Sequence, residues 1–199
     1  SRNRSATLTT PATDGGSIEA DRVLLSCPAA VTGALLAELA PGATSPLAAI
    51  PTVPIAVVML SFPSRESFGR AIDGFGFLVP RGERLGILGT LFCHSIFPGQ
   101  APSGRLFLRT MLGGAREPAA ADLDDDALLA RVRAAHRQAL GADPEPDGVW
   151  IVRWPEGISQ YTVGHLDRVA AAEAAAGAAG VELAGSPYRG GSVNDCIKQ

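Results

Sequence analysis

A glycine-rich segment near the end of the chain, VELAGSPYRGGSVNDCI at residues 181–197, contains the residues best suited to chemistry. It predicts an apolar strand, a turn, and a helix that begins near residues 192–194. Gly190 and Gly191 lack a Cβ atom, so a flat ring could pack against the backbone there. Amides at the helix start carry partial positive charge that suits an electron-rich oxygen. Such turns also occur as tight connections without a ligand, and this segment alone leaves both interpretations open.

The other polar residues form no recognisable acid–base or metal site. Cys27, Cys93 and Cys196 are far apart, odd in number and without CxxC spacing, which is typical neither of a zinc site nor of a disulfide framework and favours a reducing compartment. His94 and His136 have no carboxylate or cysteine at a ligand-like spacing, so we expect them to be structural or solvent-facing. The sequence therefore predicts no metal and identifies no catalytic acid or base.

The composition excludes several classes of protein. The apolar fraction of 46% is too high for a disordered chain, and no apolar run approaches the roughly 20 residues of a membrane-spanning helix. A net charge of −3 with interspersed acidic and basic residues provides no basic stripe, so nucleic acid is not an expected partner. We expect a chain that is soluble or at most peripheral on a membrane.

Elements of an α/β type are predicted at both ends of the chain. Residues 17–28 predict a buried strand around the apolar run at residues 23–25, and residues 29–39 predict an amphipathic helix that ends before Pro41. The apolar positions of this helix are Val31, Leu35, Leu36 and Leu39. An Ala-rich helix at residues 166–176 is predicted to pack through Leu166, Val169 and Ala170.

The middle of the chain predicts a mostly antiparallel sheet. Its predicted strands are PIAVVMLSF, GFGFLVP, LGILGTLFCHSIF, RLFLRTMLGG and VWIVRW. Residues 122–140 predict the clearest helix, with Asp122 or Asp124 as N-cap and Gly141 after its end. Its predicted buried face is Leu128, Leu129, Val132, Ala139 and Leu140. The order indicates an α/β fold, of the mixed α+β kind, in which a domain built on an antiparallel sheet and helices is inserted into another domain.

Taken in order, these segments resemble the protoporphyrinogen oxidase family of flavoproteins, which includes coproporphyrinogen-oxidising bacterial members. IEADRVLLSCPA resembles the strand that re-enters the flavin domain, and GFGFLVP and LGILGTLF resemble strands of the substrate domain. MLGGAR resembles the following turn, RWPEGISQYTVGHLDRV the return segment, and GSPYRGGSVNDCI the C-terminal flavin contact. The spacing from Trp154 through Tyr161 and His165 to Asp195 is more specific than any single motif.

The resemblance implies an FAD cofactor and two sets of site residues. The implied flavin contacts, made mainly through the backbone in the glycine-rich turn, are Trp154, Gly191, Ser192 and Val193. The implied walls of a cavity for a flat, apolar tetrapyrrole are Phe75, Gly76 and Leu78. Alternation along a strand would send Phe75 and Leu78 to opposite faces, so we expect a twist or bulge at the glycines.

The implied reaction is oxidation of protoporphyrinogen IX or coproporphyrinogen III to the porphyrin in heme biosynthesis. FAD accepts the hydrides in three two-electron steps, and O₂ reoxidises it with release of hydrogen peroxide. The implied organisation assigns residues 1–29 to an FAD domain, residues 30–164 to a substrate domain, and residues 165–199 to the returning FAD domain. No GxGxxG follows a strand in this chain, so we expect a C-terminal fragment that is inactive alone.

Two other functions remain open at this point. One is a different flavin enzyme of the amine-oxidase type, and the other is a non-catalytic domain that holds an apolar ligand on its antiparallel sheet. The resemblance places the protein in the cytoplasm or peripherally on the inner face of a bacterial membrane. It leaves open whether the protein is a homodimer.

Overall fold

The computed structural model describes residues 6–8, 18–97 and 99–199. The first residue of the predicted strand 17–28 lies outside them. The described strands are β1 (Ala6–Leu8), β2 (Ile18–Ala20), β3 (Val23–Leu25), β4 (Thr52–Phe62), β5 (Gly76–Leu78), β6 (Gly89–Phe92), β7 (Leu106–Gly113), β8 (Gly148–Ser159) and β9 (Val181–Leu183). The described α-helices are α1 (Ala29–Leu35), α2 (Pro41–Ala48), α3 (Cys93–Ile96), α4 (Asp125–Leu140), α5 (His165–Ala178) and α6 (Val193–Ile197). Two 3₁₀ turns, Gly114–Arg116 and Pro118–Asp122, follow β7.

The chain divides into two compact units. Unit 1 contains Ser1–Thr52 and Ser159–Gln199, and unit 2 contains Val53–Ile158. The divisions predicted from the sequence lie after residues 29 and 164, so residues 30–52 and 159–164 move into unit 1. The physical reason is that α2 and α5 pack in one core, where Ala43 and Leu47 join Val169 and Ala172. An inserted arrangement, in which unit 2 interrupts unit 1, is the order that the sequence predicts.

Unit 2 is built on a five-stranded sheet in the order β5-β6-β7-β4-β8. The long strands β4 and β7 pair antiparallel from Ile55↔Gly113 to Phe62↔Leu106, and β6 pairs antiparallel with β7 and β5. Apolar side chains from these strands and from α4 form one buried cluster. The predicted antiparallel sheet and mixed α/β class are confirmed. Within LGILGTLFCHSIF only β6 is extended, because residues 93–96 turn into α3.

Helix α4 has both predicted end signals. The Asp124 carboxylate accepts a hydrogen bond from the Ala127 amide at 2.7 Å, and Gly141 adopts the left-handed conformation with φ 89°. The buried positions of the helix are Leu128, Val132, Ala135, His136 and Leu140. The prediction of Ala139 on this face is wrong and Leu129 is only partly buried, because the helical repeat places residues 135 and 136 in line with 128 and 132.

Unit 1 contains a parallel pair, β3 and β9, with Val23 opposite Val181 and Leu25 opposite Leu183. A separate antiparallel pair joins β1 to β2. The prediction that residues 23–25 are fully buried is wrong at Leu24, whose side chain is 60% exposed. Within the described residues this sheet has two strands, and the face that carries Leu24 borders an open cleft.

The helices of unit 1 differ from the sequence prediction in their ends and faces. Helix α1 ends at Leu35, and a second helix, α2, begins at Pro41, because proline suits the first turn of a helix as well as a break. Of the four apolar positions of the predicted helix at residues 29–39, only Leu36 is buried; the exposed ones are Val31, Leu35 and Leu39. Helix α5 packs through His165, Val169, Ala172 and Ala176, so the predicted positions Leu166 and Ala170 are wrong. In the described part of the chain, no helix combines the length and apolarity needed to cross a membrane.

Candidate functional site

Unit 1 has an open cleft of about 680 Å³ beside the β3–β9 pair and α6. Its walls include the exposed apolar side chains of Leu24, Val193 and Ile197. The backbone of Gly191 also borders it. An apolar cleft of this size is ample for a flat ring system such as an isoalloxazine.

The glycine turn, which we define as residues 185–191, connects β9 to α6. It is closed by a hydrogen bond from the Tyr188 amide to the Gly185 carbonyl at 3.1 Å. Gly185 and Gly190 have φ of 124° and 150°, which residues other than glycine rarely adopt. A Cβ atom at Gly190 would lie 2.5 Å from Cβ of Asp195, so packing within unit 1 requires glycine there. At Gly191 a Cβ atom would meet nothing within 4 Å.

Ser192 is the N-cap of α6, which confirms the predicted helix start. Its Oγ accepts a hydrogen bond from the Asp195 amide at 3.1 Å and donates one to Asp195 Oδ2 at 2.6 Å. The hydroxyl proton is therefore used within the chain, so the Ser192 side chain has no donor to offer a ligand. Val193, in contrast, is three-quarters exposed and projects apolar surface at the cleft.

Trp154, the fourth predicted flavin contact, belongs to β8 in unit 2. Its indole is more than half exposed and borders a hollow of about 250 Å³ with Pro54, Ala121, Asp122, Arg153 and Pro155. The neighbouring Arg153 is held by an ion pair with Asp125 at 2.7 Å. The structure thus brings Gly191 and Val193 together at one cleft of unit 1, while Trp154 lies on the edge strand of unit 2.

The predicted substrate strand contains a local irregularity at Gly76. Its φ is 129°, and a Cβ atom there would lie closer than 3.0 Å to the Thr90 carbonyl oxygen of β6. The missing side chain of Gly76 therefore allows two strands to approach, and the place of Gly76 in a cavity wall stays a prediction. Phe75 and Leu78 are 73% and 76% exposed, whereas Phe77 between them packs against the core. The β5–β6 register is continuous over residues 76–78, so the expected twist or bulge stays a prediction.

Unit 2 contains a cluster of serine, histidine and aspartate side chains, the residue types of a catalytic triad. His94 Nε2 lies 2.8 Å from the Ile72 carbonyl oxygen, which can only accept, so this nitrogen carries the proton. The Ser95 hydroxyl donates to Asp73 Oδ1 at 2.6 Å, and this hydrogen bond, followed by one from the Gly74 amide, lowers the pKa of Asp73. His94 Nε2 cannot take the serine proton, so the cluster is not a catalytic triad.

His136 is also structural. Its Nε2 lies 3.1 Å from Thr90 Oγ1 and 3.0 Å from Thr110 Oγ1, in a buried network between α4 and the sheet. Burial lowers the pKa of His136 to about 4, so the ring is neutral at physiological pH. Among the residues that the structure describes, no group of three His, Cys, Asp or Glu side chains could hold a metal ion.

Comparison with known proteins identifies the family. A family model described as flavin containing amine oxidoreductase matches residues 2–199. Protoporphyrinogen oxidase of Homo sapiens is 36% identical over 191 residues, which cover 92% of this chain and 39% of the human protein. Coproporphyrinogen III oxidase of Propionibacterium freudenreichii subsp. freudenreichii is 35% identical over 187 residues, with 92% and 34% covered. This chain thus spans about a third to two fifths of the length of these relatives.

A solved structure agrees with the sequence relatives. The crystal structure of a protein assigned as a protoporphyrinogen oxidase, from Exiguobacterium sp. 255-15, matches with a TM-score of 0.75 at 29% identity and covers 93% of this chain and 40% of that chain. A flavin is common to the matched family, which agrees with the predicted FAD cofactor. The chain therefore belongs to the flavin containing amine oxidoreductase family, and its predicted resemblance to protoporphyrinogen and coproporphyrinogen oxidases is confirmed.

Proposed function

We propose that this chain forms the C-terminal part of an FAD-dependent enzyme that oxidises protoporphyrinogen IX or coproporphyrinogen III to the porphyrin. The observation that supports this best is the bare backbone of Gly191 beside an apolar cleft, in a member of a flavin-containing family. The relatives named above supply the substrate class. O₂ is the proposed electron acceptor, and the cytoplasm or the inner face of a bacterial membrane is the proposed location.

The residues at the cleft fit the isoalloxazine end of FAD. Gly191 leaves room for a ring to lie against the backbone, and Val193 offers an apolar surface for it. Ser192 would contribute its backbone, since its hydroxyl is occupied by Asp195. For Trp154, flavin contact stays a prediction from the family resemblance. When bound, FAD supplies the acceptor for the hydride that leaves the porphyrinogen.

The exposed side chains of β5 and the residue before it are the proposed substrate contacts. Phe75 and Leu78 present large apolar surfaces to the outside of unit 2, while Phe77 anchors the strand in the core. These side chains would pack on the face of a tetrapyrrole, exclude water and orient the macrocycle. They carry no proton-transfer group, so their role is binding and orientation.

The test is oxidation of the two porphyrinogens by the full-length protein loaded with FAD, followed by porphyrin fluorescence. We expect porphyrin to form, and we expect Phe75→Ala to lower kcat/KM for the porphyrinogen by about tenfold, as loss of a large apolar contact does. Reduction of the flavin by a small artificial reductant should be unchanged in this variant. Phe97→Ala, which removes another exposed aromatic side chain of unit 2, is the matched control.

The same assay separates the alternatives. Oxidation of amines without oxidation of either porphyrinogen would favour a flavin amine oxidase and overturn the proposal. Equal losses with porphyrinogen and with the small reductant in Phe75→Ala would show that residues 75–78 affect the flavin site or the fold instead of the substrate.

A further inference from the structure

The backbone of the glycine turn is hydrogen-bonded by two side chains of one short segment. Tyr161 lies four residues before His165, the first residue of α5, and their rings stack with centroids 4.1 Å apart and an angle of 15° between the planes. The stacked pair presents a hydroxyl and a ring nitrogen to the backbone of the turn. Neither residue lines the cleft itself.

The Tyr161 hydroxyl bridges the two sides of the turn. It donates a hydrogen bond to the Ser186 carbonyl at 2.6 Å and accepts one from the Gly190 amide at 2.9 Å. One phenolic oxygen thus uses both its donor and its acceptor capacity on backbone groups four residues apart. Because the Gly190 amide points at Tyr161, the orientation of the peptide before Gly190 is set by this contact.

His165 fixes the centre of the same turn. Its Nε2 donates to the Tyr188 carbonyl at 2.7 Å, and its ring is buried. The Tyr188 side chain is also fully buried, and its hydroxyl lies 3.0 Å from Thr32 Oγ1. Three backbone groups of the turn, at residues 186, 188 and 190, are therefore held by the Tyr161–His165 pair.

We propose that Tyr161 is a positioning residue that sets the backbone of Gly190 and Gly191 for flavin contact. The inference rests on the proposed function, because it takes the cleft at Gly191 as the flavin site. Tyr161 is 48% exposed, and its contribution to stability comes mainly from the stacked ring, which phenylalanine preserves. The hydroxyl acts on the turn alone, since both of its hydrogen bonds end there.

The experiment compares two variants that each lose one phenolic hydroxyl, Tyr161→Phe and Tyr188→Phe, in the full-length protein. In Tyr161→Phe we expect the Kd for FAD to rise by about tenfold, as loss of two backbone hydrogen bonds implies. We also expect a changed visible absorbance spectrum of the bound flavin and faster hydrogen exchange of the Gly190 amide. In Tyr188→Phe, whose hydroxyl bonds only Thr32 in the described residues, we expect lower thermal stability with an unchanged flavin spectrum.

The outcomes distinguish this inference from the proposed function. A Tyr161→Phe protein with wild-type FAD affinity, spectrum and Gly190 exchange would overturn the positioning role, as would equal flavin effects in both variants. Gly191→Leu supplies the second reference. If Gly191→Leu lowers flavin affinity and Tyr161→Phe does not, only the positioning role fails; if Gly191→Leu also leaves flavin binding intact, the flavin site itself is wrong.

Discussion

Gly76 and Gly191 were both predicted to lie beside a flat ligand, and the structure gives them different surroundings. At Gly76 the space that a side chain would occupy contains the backbone of β6. At Gly191 the corresponding space is open to the apolar cleft. A glycine in a site motif therefore has two distinct explanations, and only the environment of the absent Cβ atom separates them.

The two glycines also affect different free energies: Gly76 that of folding, and Gly191 that of ligand binding. Gly76 is needed for the strand pair to form, so its replacement acts on folding. Gly191 has no neighbour that requires glycine, so its replacement acts on whatever enters the cleft. We therefore expect a large loss of stability when Gly76 is replaced and a small one when Gly191 is replaced.

Gly76→Val is expected to lower the free energy of unfolding by at least about 3 kcal/mol. The added side chain would collide with the Thr90 carbonyl and would also force a β-branched residue to a φ of 129°. Chemical denaturation of the variant measures the loss. Gly82→Ala is the matched control, because Gly82 also has a positive φ of 101° but nothing within 4 Å, so it should lose only about 1 kcal/mol. Similar losses in both would show that β6 does not block position 76.

The second prediction concerns the side chain of Thr90 in β6, which contacts His136. The folded-state pKa of His136 is about 4, below the reference value of 6.5, so the unfolded chain binds the proton first as the pH falls. The free energy of unfolding therefore has its full value, as far as His136 is concerned, above pH 6.5. It falls by about 3 kcal/mol in total between pH 6.5 and 4. Unfolding free energies measured across this range should show that slope, and His136→Leu should flatten it. An unchanged slope in His136→Leu would contradict the assignment.

Gly191→Leu is expected to change the free energy of unfolding by no more than about 0.5 kcal/mol, since a Cβ atom at this position meets no atom of the described chain within 4 Å. Flavin affinity of the full-length protein should nevertheless fall, because the side chain would enter the space assigned to the ring. Flavin titration and thermal melts of the same preparation provide both measurements. Gly191→Ala, with a single added carbon, should give a smaller loss of affinity. A large loss of stability in Gly191→Leu would place this residue with Gly76.

Much of the fold follows from local signals. The Asp124 cap and Gly141 terminus of α4, and the apolar strands of unit 2, are visible in the sequence because each depends on neighbouring residues. The errors occur where distant packing decides. Leu24 and Leu35 carry strand and helix patterns but are exposed, and the faces of α4 and α5 shift by a residue or more.

The candidate site was predictable in part for the same reason. The turn and the helix start at Ser192 are local, and the family resemblance placed the ligand there. The contacts of the Tyr161 hydroxyl join residues 25 and 29 positions apart, and no local pattern reveals them. The QYTVGH spacing was the available signal, since it placed Tyr161 and His165 in the family motif.

The edge strand β8 carries both tryptophans of the chain, Trp150 and Trp154, each at least half exposed. Intrinsic tryptophan emission therefore reports almost entirely on this one strand, and its wavelength follows the solvent exposure of the two indole rings. Anything that pairs with or covers β8 should shift the emission to the blue. The protein thus contains an intrinsic optical probe for coverage of β8, the last strand of the five-stranded sheet within the described residues.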